Sequence, residues 1–564
     1  MTKSKHLSAQ EHAASFSSKQ RSIALVIVAL AFVMDLLDST IVNVAIPSIR
    51  ANLGASYSAI QWIVAGYSLA FAILLVTGGR MGDVFGYKKL FMTGVAGFTL
   101  ASLLSGVAPT TSVLLVARII QGACAALMVP QVMSLMQVMY KPSERGSVNA
   151  LFGALGGLAA SLGPVVGGLL IKANVAGWDW RPIFLINVPV GIFGLIAGAK
   201  YLPNGKSPHP LKLDIFGTVL IMAAMFLLVY PLIQGREYGW PAWTFIMMAV
   251  SLPVFAAFAW WQKRKERLDG SPLVLPSLFK NHSFGFGLGI NAIFEMAMIG
   301  FFLTFTLVLQ IGLGFTPIHA ALTGLPTAFG IAMTMAIAGE KVVPKLGRYA
   351  LNLGTVVMAL GLSVTTWVLH HYSLDVHSWQ LIPGLFLVGI GMGFVFGSLF
   401  AAVLNGVDAR HAGSASGILN AVQQVGGSIG VALIGVIFFG QLGSGAVASF
   451  TSVEPQLHSQ LAAAHVPAEA QDQIVSGVRA CFVDRSHAAG SDTTPESCKR
   501  AEGGNVNSDL AHDVTNSALT ANATNFNRAF KWSMVYAAGL LALTFSLTFG
   551  LPRRFRTEAY HEAA

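Results

Sequence analysis

Stretches of about twenty apolar residues recur from Ser22 to the end of this 564-residue chain, and they leave few folds open. A run of that length spans the ~30 Å hydrocarbon layer of a bilayer as a helix. With 54% hydrophobic and only 11% charged residues, the chain reads as a polytopic helical membrane protein. The runs suggest about fourteen helices, centred near Asp35, Tyr67, Ala101, Leu127, Ala160, Ile192, Ala224, Val250, Ile299, Gly330, Leu360, Ile390, Leu433 and Leu540. No cleaved targeting segment is expected, because the polar tail before the first run is too long for a signal peptide's charged region.

An even number of crossings puts both termini on one side. Lysines and arginines collect on that side, among them Lys88, Lys89, Lys141, Arg145, Lys263, Arg264, Lys265, Arg267, Arg553 and Arg554. The short loops opposite hold little beyond Arg50, Lys172 and Arg236. By the positive-inside rule the termini are cytoplasmic, so the net charge of +10 reports topology and not nucleic-acid binding. The expected organisation is a cytoplasmic tail (1–21), a six-helix half (22–202), two inserted helices (213–262), a cytoplasmic loop (263–283), a second half (284–551) and a tail (552–564). A long polar extracytoplasmic loop (441–525) lies between the last two helices, helical over 456–475 and irregular over 486–508. Cys481 and Cys498, seventeen positions apart in that loop, are candidates for a disulfide on an oxidising face. Gly79–Lys89 is weakly echoed by Gly339–Arg348, as in transporters built from parallel repeats.

Two carboxylates, Asp35 and Asp38, stand where a membrane helix is expected to have none, about 20 Å and 24 Å along a helix begun at Ser22. A charge at such depth costs ~2.5–3.5 kcal/mol on insertion scales and normally faces a protein interior or a watery cavity. Spaced three apart, the two acids share a face. Both cannot ionise easily, so one is expected to hold a proton near neutrality. Polar helix packing is the blander alternative for the pair.

Leu37 to Pro47, Gly79 to Phe91, Leu114-x-x-x-Arg118-x-x-Gln121-Gly122 and Gly163-Pro164-x-x-Gly167-Gly168 together carry a resemblance. So do Trp180 to Pro189, with Pro182 at an expected aromatic, and the segment from Ala412 to Gly427. The chain resembles a major facilitator superfamily transporter of the fourteen-helix drug:proton antiporter group, which includes quaternary-ammonium and mycobacterial multidrug exporters. The resemblance implies an all-α fold of two six-helix halves plus two inserted helices in the cell membrane, proton-coupled export of an amphipathic or cationic compound, and no enzymatic activity. It implies no cofactor beyond the proton gradient, with membrane lipids as partners, no nucleic acid, and a monomer compatible with function. Proton coupling is then expected at Asp35, Asp38, Arg118 and Glu295, the last being the one acid deep in the second half, bonded to Asn291 if it is merely structural.

Substrate is expected near Asp35, Asn43, Trp62, Tyr67, Gln121, Asn291, Phe294 and Phe301, where aromatic faces can meet a cation; packing is the plainer role for any one of the aromatics. Gating is expected at Gly79, Asp83, Gly86 and Lys88, where Asp83 would accept from helix N-termini and a basic partner. Val84 replaces an arginine usual in the family. Gly163, Pro164, Gly167 and Gly168 would form a packed, bent seal; Asp214 and Glu340 read as helix-end groups. Three alternatives remain: a dedicated exporter of one antibiotic, siderophore or lipid; proton-linked uptake, disfavoured by the Gly-Pro-x-x-Gly-Gly helix; and a non-transporting sensor or scaffold. Gly-x-x-x-x-Gly-Lys phosphate-binding loops and His-Glu-x-x-His are absent from the sequence, which leaves an ATP-driven pump or a metal-dependent hydrolase little support.

Overall fold

The computed structural model describes residues 18–140, 142–207, 212–337, 342–404, 412–487, 495–498 and 508–553. Its long elements are α1 (Ser18–Leu53), α2 (Tyr57–Phe85), α3 (Tyr87–Gly106), α4 (Thr111–Met139), α5 (Pro142–Ala173), α6 (Pro182–Tyr201), α7 (Ile215–Gln234) and α8 (Ala242–Asp269). They continue as α9 (His282–Leu307), α10 (Pro317–Met335), α11 (Arg348–Tyr372), α12 (Ser378–Leu404), α13 (Ala412–Thr451), α14 (Glu454–Ala463), α15 (Ala468–His487) and α16 (Ser508–Leu547). Among the described residues there is no strand, and thirteen helices are long and apolar enough to cross a membrane. α5 is the remaining candidate, its shorter apolar part being Leu162–Ala173. Thirteen of the fourteen expected apolar runs thus coincide with helices of spanning length among the described residues.

Local chemistry sets the boundaries. Ser56 and Thr110 are N-caps whose hydroxyls accept from the Ala59 and Val113 amides, at 3.1 Å and 3.4 Å. Between α2 and α3 the chain turns at Gly86, whose φ of 101° favours a residue without a Cβ. That turn is held by the Tyr87 amide donating to Gly205 O, at 2.8 Å.

Helices α1–α6 form one bundle, and α9–α13 with α16 form the other. α7 and α8 pair with each other beside α2. Lipid is as apolar as leucine, so small residues allow helices to pack through close contact. On α5, a Cβ at Gly167 would come 2.7 Å from Ile41 of α1, and one at Gly168 would come 2.8 Å from the Ile318 backbone of α10. Gly163 packs in the same way on Thr40. Gly168 thus joins the two bundles.

The segment expected as a loop over 441–525 is largely helical. α13 and α16 run on as 40-residue helices, and α14 and α15 pack on their ends around Phe450, Leu457, Leu461, Val475 and Ala521. The polarity that suggested a loop marks exposure to solvent, while the Ala, Gln and Glu content suits helices. Cys481 and Cys498 are bonded and tie α15 to the turn that follows. Most of 486–508 lies outside the described residues, as do Lys141, Arg554, and Gly339, Glu340 and Lys341 of the echoed loop. The first helix begins at Ser18, four residues before the expected start, and Arg21 pairs with Glu144 at 3.3 Å.

Candidate functional site

The two intramembrane acids of α1 meet a polar network drawn from four other helices. Asp38 is 1% exposed and forms an ion pair with Arg118 of α4, itself 1% exposed. Its other oxygen accepts from Gln121 Nε2, at 2.8 Å, and from Asn187 Nδ2 of α6, at 2.9 Å. Gln121 Nε2 and Asn187 Nδ2 also donate to Ser102 Oγ of α3, at 2.7 Å and 3.2 Å. Arg118 donates further to Gln121 Oε1, at 2.8 Å, and to the Ile63 carbonyl, at 3.3 Å. The buried pair is thus hydrogen-bonded at both oxygens of Asp38 and through Nε and Nη1 of Arg118, the kind of support under which such a pair is tolerated. Arg118 therefore does not snorkel.

Asp35, one turn before Asp38, accepts from the Tyr67 hydroxyl at 2.5 Å. The Tyr67 ring also lies 4.3 Å from the Arg118 guanidinium carbon, and Phe184 lies on it at 5.6 Å. One tyrosine therefore touches both the lone acid and the cation of the neighbouring pair. In chemical terms the site is a carboxylate beside a closed ion pair, joined by an aromatic hydroxyl, in a membrane interior.

The expected site residues divide. Asp35, Asp38, Arg118, Gln121 and Tyr67 come together, but Gln121 and Tyr67 are spent in the network and are not free to line a substrate cavity. Asn43, half-buried on α1, makes no hydrogen bond among the described residues. Glu295 lies apart, on α9 against Gly426 of α13, and likewise has no hydrogen-bond partner among the described residues. It is not bonded to Asn291, whose Nδ2 donates to Leu419 O at 3.3 Å while its Oδ1 is buried without a partner. Phe294 and Phe301 are core residues, at 0% and 1% exposure. Phe294 packs on Phe396 with ring centres 5.3 Å apart, and Phe301 on Phe302 and Phe305 at 5.4 Å each. Trp62 faces Tyr230 of α7, at 6.2 Å. These aromatics therefore serve packing. Sequence reasoning missed Asn187 and Ser102; the available signal was an asparagine inside the apolar run Ile183–Val190.

At the turn between α2 and α3, Asp83 accepts from Tyr87 Oη at 3.0 Å, and no basic side chain pairs with it among the described residues. The contact to another element that was expected of Asp83 is made by Arg80. Arg80 is 6% exposed and donates to the carbonyls of Lys212, at 3.2 Å, Ser271, at 2.8 Å, and Pro272. These carbonyls flank the α7–α8 hairpin. Lys88 caps α6 through Ala199 O, at 2.8 Å. Gly79 has only Pro130 of α4 nearby, 3.6 Å from a built Cβ, and Pro164 lies within α5. Asp214 caps α7 through Gly217 N, at 2.9 Å, and accepts from Trp261 Nε1 and Gln262 Nε2 of α8, at 2.8 Å each. Burial alone would raise this carboxyl; hydrogen bonds from Trp261, Gln262 and the Gly217 and Leu273 amides outweigh it and hold the group below its usual range.

Hydrogen bonds between the halves lie toward the α14–α15 end. Gln61 Nε2 donates to Val431 O and Gln310 Nε2 to Val44 O, both at 3.1 Å. Ser428 Oγ donates to Ala65 O, at 3.4 Å. With Gly168 against Ile318 they close that end of the bundle.

The sequence matches the Major Facilitator Superfamily over residues 28–431. It is 40% identical over 539 residues to a probable actinorhodin transporter of Streptomyces coelicolor, covering 96% of this chain and 93% of that protein. It is 32% identical over 425 residues to a tetracenomycin C resistance and export protein of Streptomyces glaucescens, covering 74% and 76%. A bacterial homologue of the human lysosomal transporter Spinster shares the fold, with a TM-score of 0.56, 15% identity and coverage of 96% and 100%. With the helices, the motifs and these likenesses in agreement, the chain belongs to the Major Facilitator Superfamily, within its drug:proton antiporter group, as a multi-pass transporter of the cell membrane and not an enzyme.

Proposed function

We propose that this protein exports an amphipathic organic compound while protons enter, with the proton gradient as its energy source and no cofactor. The observation that carries the reading is the lone acid Asp35 beside the Asp38–Arg118 pair, linked by Tyr67. Protonation of a carboxylate in this network alters what Arg118 and Tyr67 hold, and those groups span α1, α2 and α4. Rocking of one half against the other can follow. With the termini in the cytoplasm, the packed α14–α15 end faces outward, so this conformation is the one that receives substrate from inside. Glu295 and Asn291 supply acceptors in the second half for a donor or cationic group of the substrate, or a second proton site.

The energy suffices. One charge moved across ~150 mV yields about 3.5 kcal/mol, enough for roughly a 300-fold gradient. A single antibiotic is favoured over a broad set of cations as the substrate, because a relative that spans almost the whole chain is named for one compound.

The test uses everted vesicles energised to drive outward transport, offered ethidium and, separately, a panel of aromatic antibiotics. Substrate-dependent proton movement should occur with wild type and fail with Asp35→Asn or Asp38→Asn. Movement of ethidium would restore the multidrug reading; substrate transport that leaves the proton gradient untouched in wild type would end the antiport reading.

A further inference from the structure

The inserted hairpin α7–α8 is peripheral to the site, yet one face of α8 has a composition that calls for a partner. Exposed residues recur along this helix at Ala242, Phe245, Ile246, Ala249, Leu252, Ala256 and Trp260, a stripe at helical spacing. Ile246 is 61% exposed and Leu252 69%, so the stripe faces lipid. Without a break it then turns basic: Lys263, Arg264 and Arg267 are exposed, at three, four and seven positions after Trp260.

The helix excludes its own acids from this face. Asp269 accepts from Lys265 Nζ at 2.7 Å and from the Ser271 amide at 3.1 Å. Glu266 accepts from the Ser277 amide at 3.3 Å. At 100° per residue, Lys265, Glu266 and Asp269 point about 120–180° away from Trp260. Asp269 is thereby committed to Lys265 and the end of α8, and Glu266 to the turn Pro276–Lys280. Arg264 lies over the Trp260 ring, its guanidinium carbon 5.3 Å from the centroid, which places a cation at the boundary between an apolar surface and water.

We propose that this end of α8 is a binding site for an anionic phospholipid of the cytoplasmic leaflet. The acyl chains run along the Leu252–Trp260 stripe, and the headgroup phosphate is held by Lys263, Arg264 and Arg267. Charge complementarity and continuity with the lipid-facing stripe select this occupant: a soluble anion would use the cations but leave the adjoining apolar surface unused. The site has a mechanical consequence. The chain leaving α8 supplies the Ser271 and Pro272 carbonyls that Arg80 holds, so a lipid seated here braces the joint between the hairpin and α2.

The experiment places the full chain in nanodiscs whose lipid is phosphatidylcholine mixed with brominated phosphatidylglycerol or brominated phosphatidylcholine. Trp260 fluorescence is read as the difference between wild type and Trp260→Phe. Each near-surface cation contributes about fivefold to binding an anionic lipid, so quenching should show at least a tenfold preference for phosphatidylglycerol. Lys263→Gln/Arg264→Gln/Arg267→Gln should bring the preference near unity while quenching by brominated phosphatidylcholine persists. If the triple variant does not insert, Arg267→Gln alone should lower the preference at least threefold, and about 0.5 M salt should weaken it in wild type. Equal quenching of wild type by the two lipids overturns the proposal, as does a preference that survives loss of the three cations. A preference abolished equally by free inorganic phosphate at millimolar concentration would also overturn it, by assigning the site to a soluble anion.

Discussion

Gly168→Ala should open the seam between the halves. A Cβ on Gly168 would stand 2.8 Å from Ile318 Cα and 3.1 Å from both Ile318 N and Pro317 O. All three are backbone atoms, so no side chain can swing aside and α10 itself must retreat, by at least about 0.6 Å to reach ordinary contact. Overpacking of this kind costs ~1–3 kcal/mol, and only the closed arrangement bears it. At ~1.4 kcal/mol per decade the ratio of closed to open protein falls by about fivefold to 150-fold. Alternating states commonly differ by a few kcal/mol, so a shift of that size is visible. Spin labels at Val175→Cys and Leu322→Cys, both exposed, would report the separation of α5 and α10 by double electron–electron resonance, with Cys124→Ser as background. Gly440→Ala on α13, where nothing lies within 4 Å of a built Cβ, is the control. The reasoning fails if Gly168→Ala gives the same distance distribution as Gly440→Ala.

Two further outcomes follow from the buried charges. Asp38→Asn strands the Arg118 guanidinium at 1% exposure and should cost about 3–5 kcal/mol in denaturant unfolding from lipid–detergent micelles; Asp38→Asn/Arg118→Gln should recover at least ~1 kcal/mol of it. A single variant as stable as wild type would show that the pair is not an anchor. Asp214 has its carboxyl depressed, so its contribution to holding α7 on α8 is fully present above the unfolded value of 3.8 and is lost as pH falls through the folded value below it. Hydrogen exchange over 212–218 should therefore stay slow at pH 5 and accelerate below about pH 4. Asp214→Asn should exchange rapidly at both; matching profiles for variant and wild type would remove Asp214 from that role.

The helices were legible because lipid demands long apolar runs, and Asp38 with Arg118 because two opposite charges at membrane depth need each other. Which way an aromatic points was not legible. Trp62, Phe294 and Phe301 sit in predominantly apolar runs whose few polar residues, Gln61, Asn291 and Glu295, do not fix an aromatic's direction, so only their neighbours decide between cavity and core. Arg80 and Asp83 are three apart and equally charged in prospect. Arg80 is the one that reaches bonded partners across the fold, because the carbonyls at 212, 271 and 272 come together only when α7 and α8 pair. Asn187 and Ser102 were missed for a related reason, since a single amide or hydroxyl carries no signal until helices α3 and α6 bring both to Asp38. In the long polar segment the helix expected over 456–475 overlaps α14 and α15, and the rest of its helix was hidden because a solvated helix and a solvated loop share a composition.

That segment gives the molecule a lever. α13 and α16 are each about 60 Å long by helical rise, twice the thickness of the hydrocarbon layer, and the small domain on their ends packs on those two helices. When the second half tilts about the middle of the membrane, the far tip sweeps a wider arc than any residue within it. A fluorophore placed on α15 would thus read each turnover as a displacement in water, at a distance from the substrate path and without touching it.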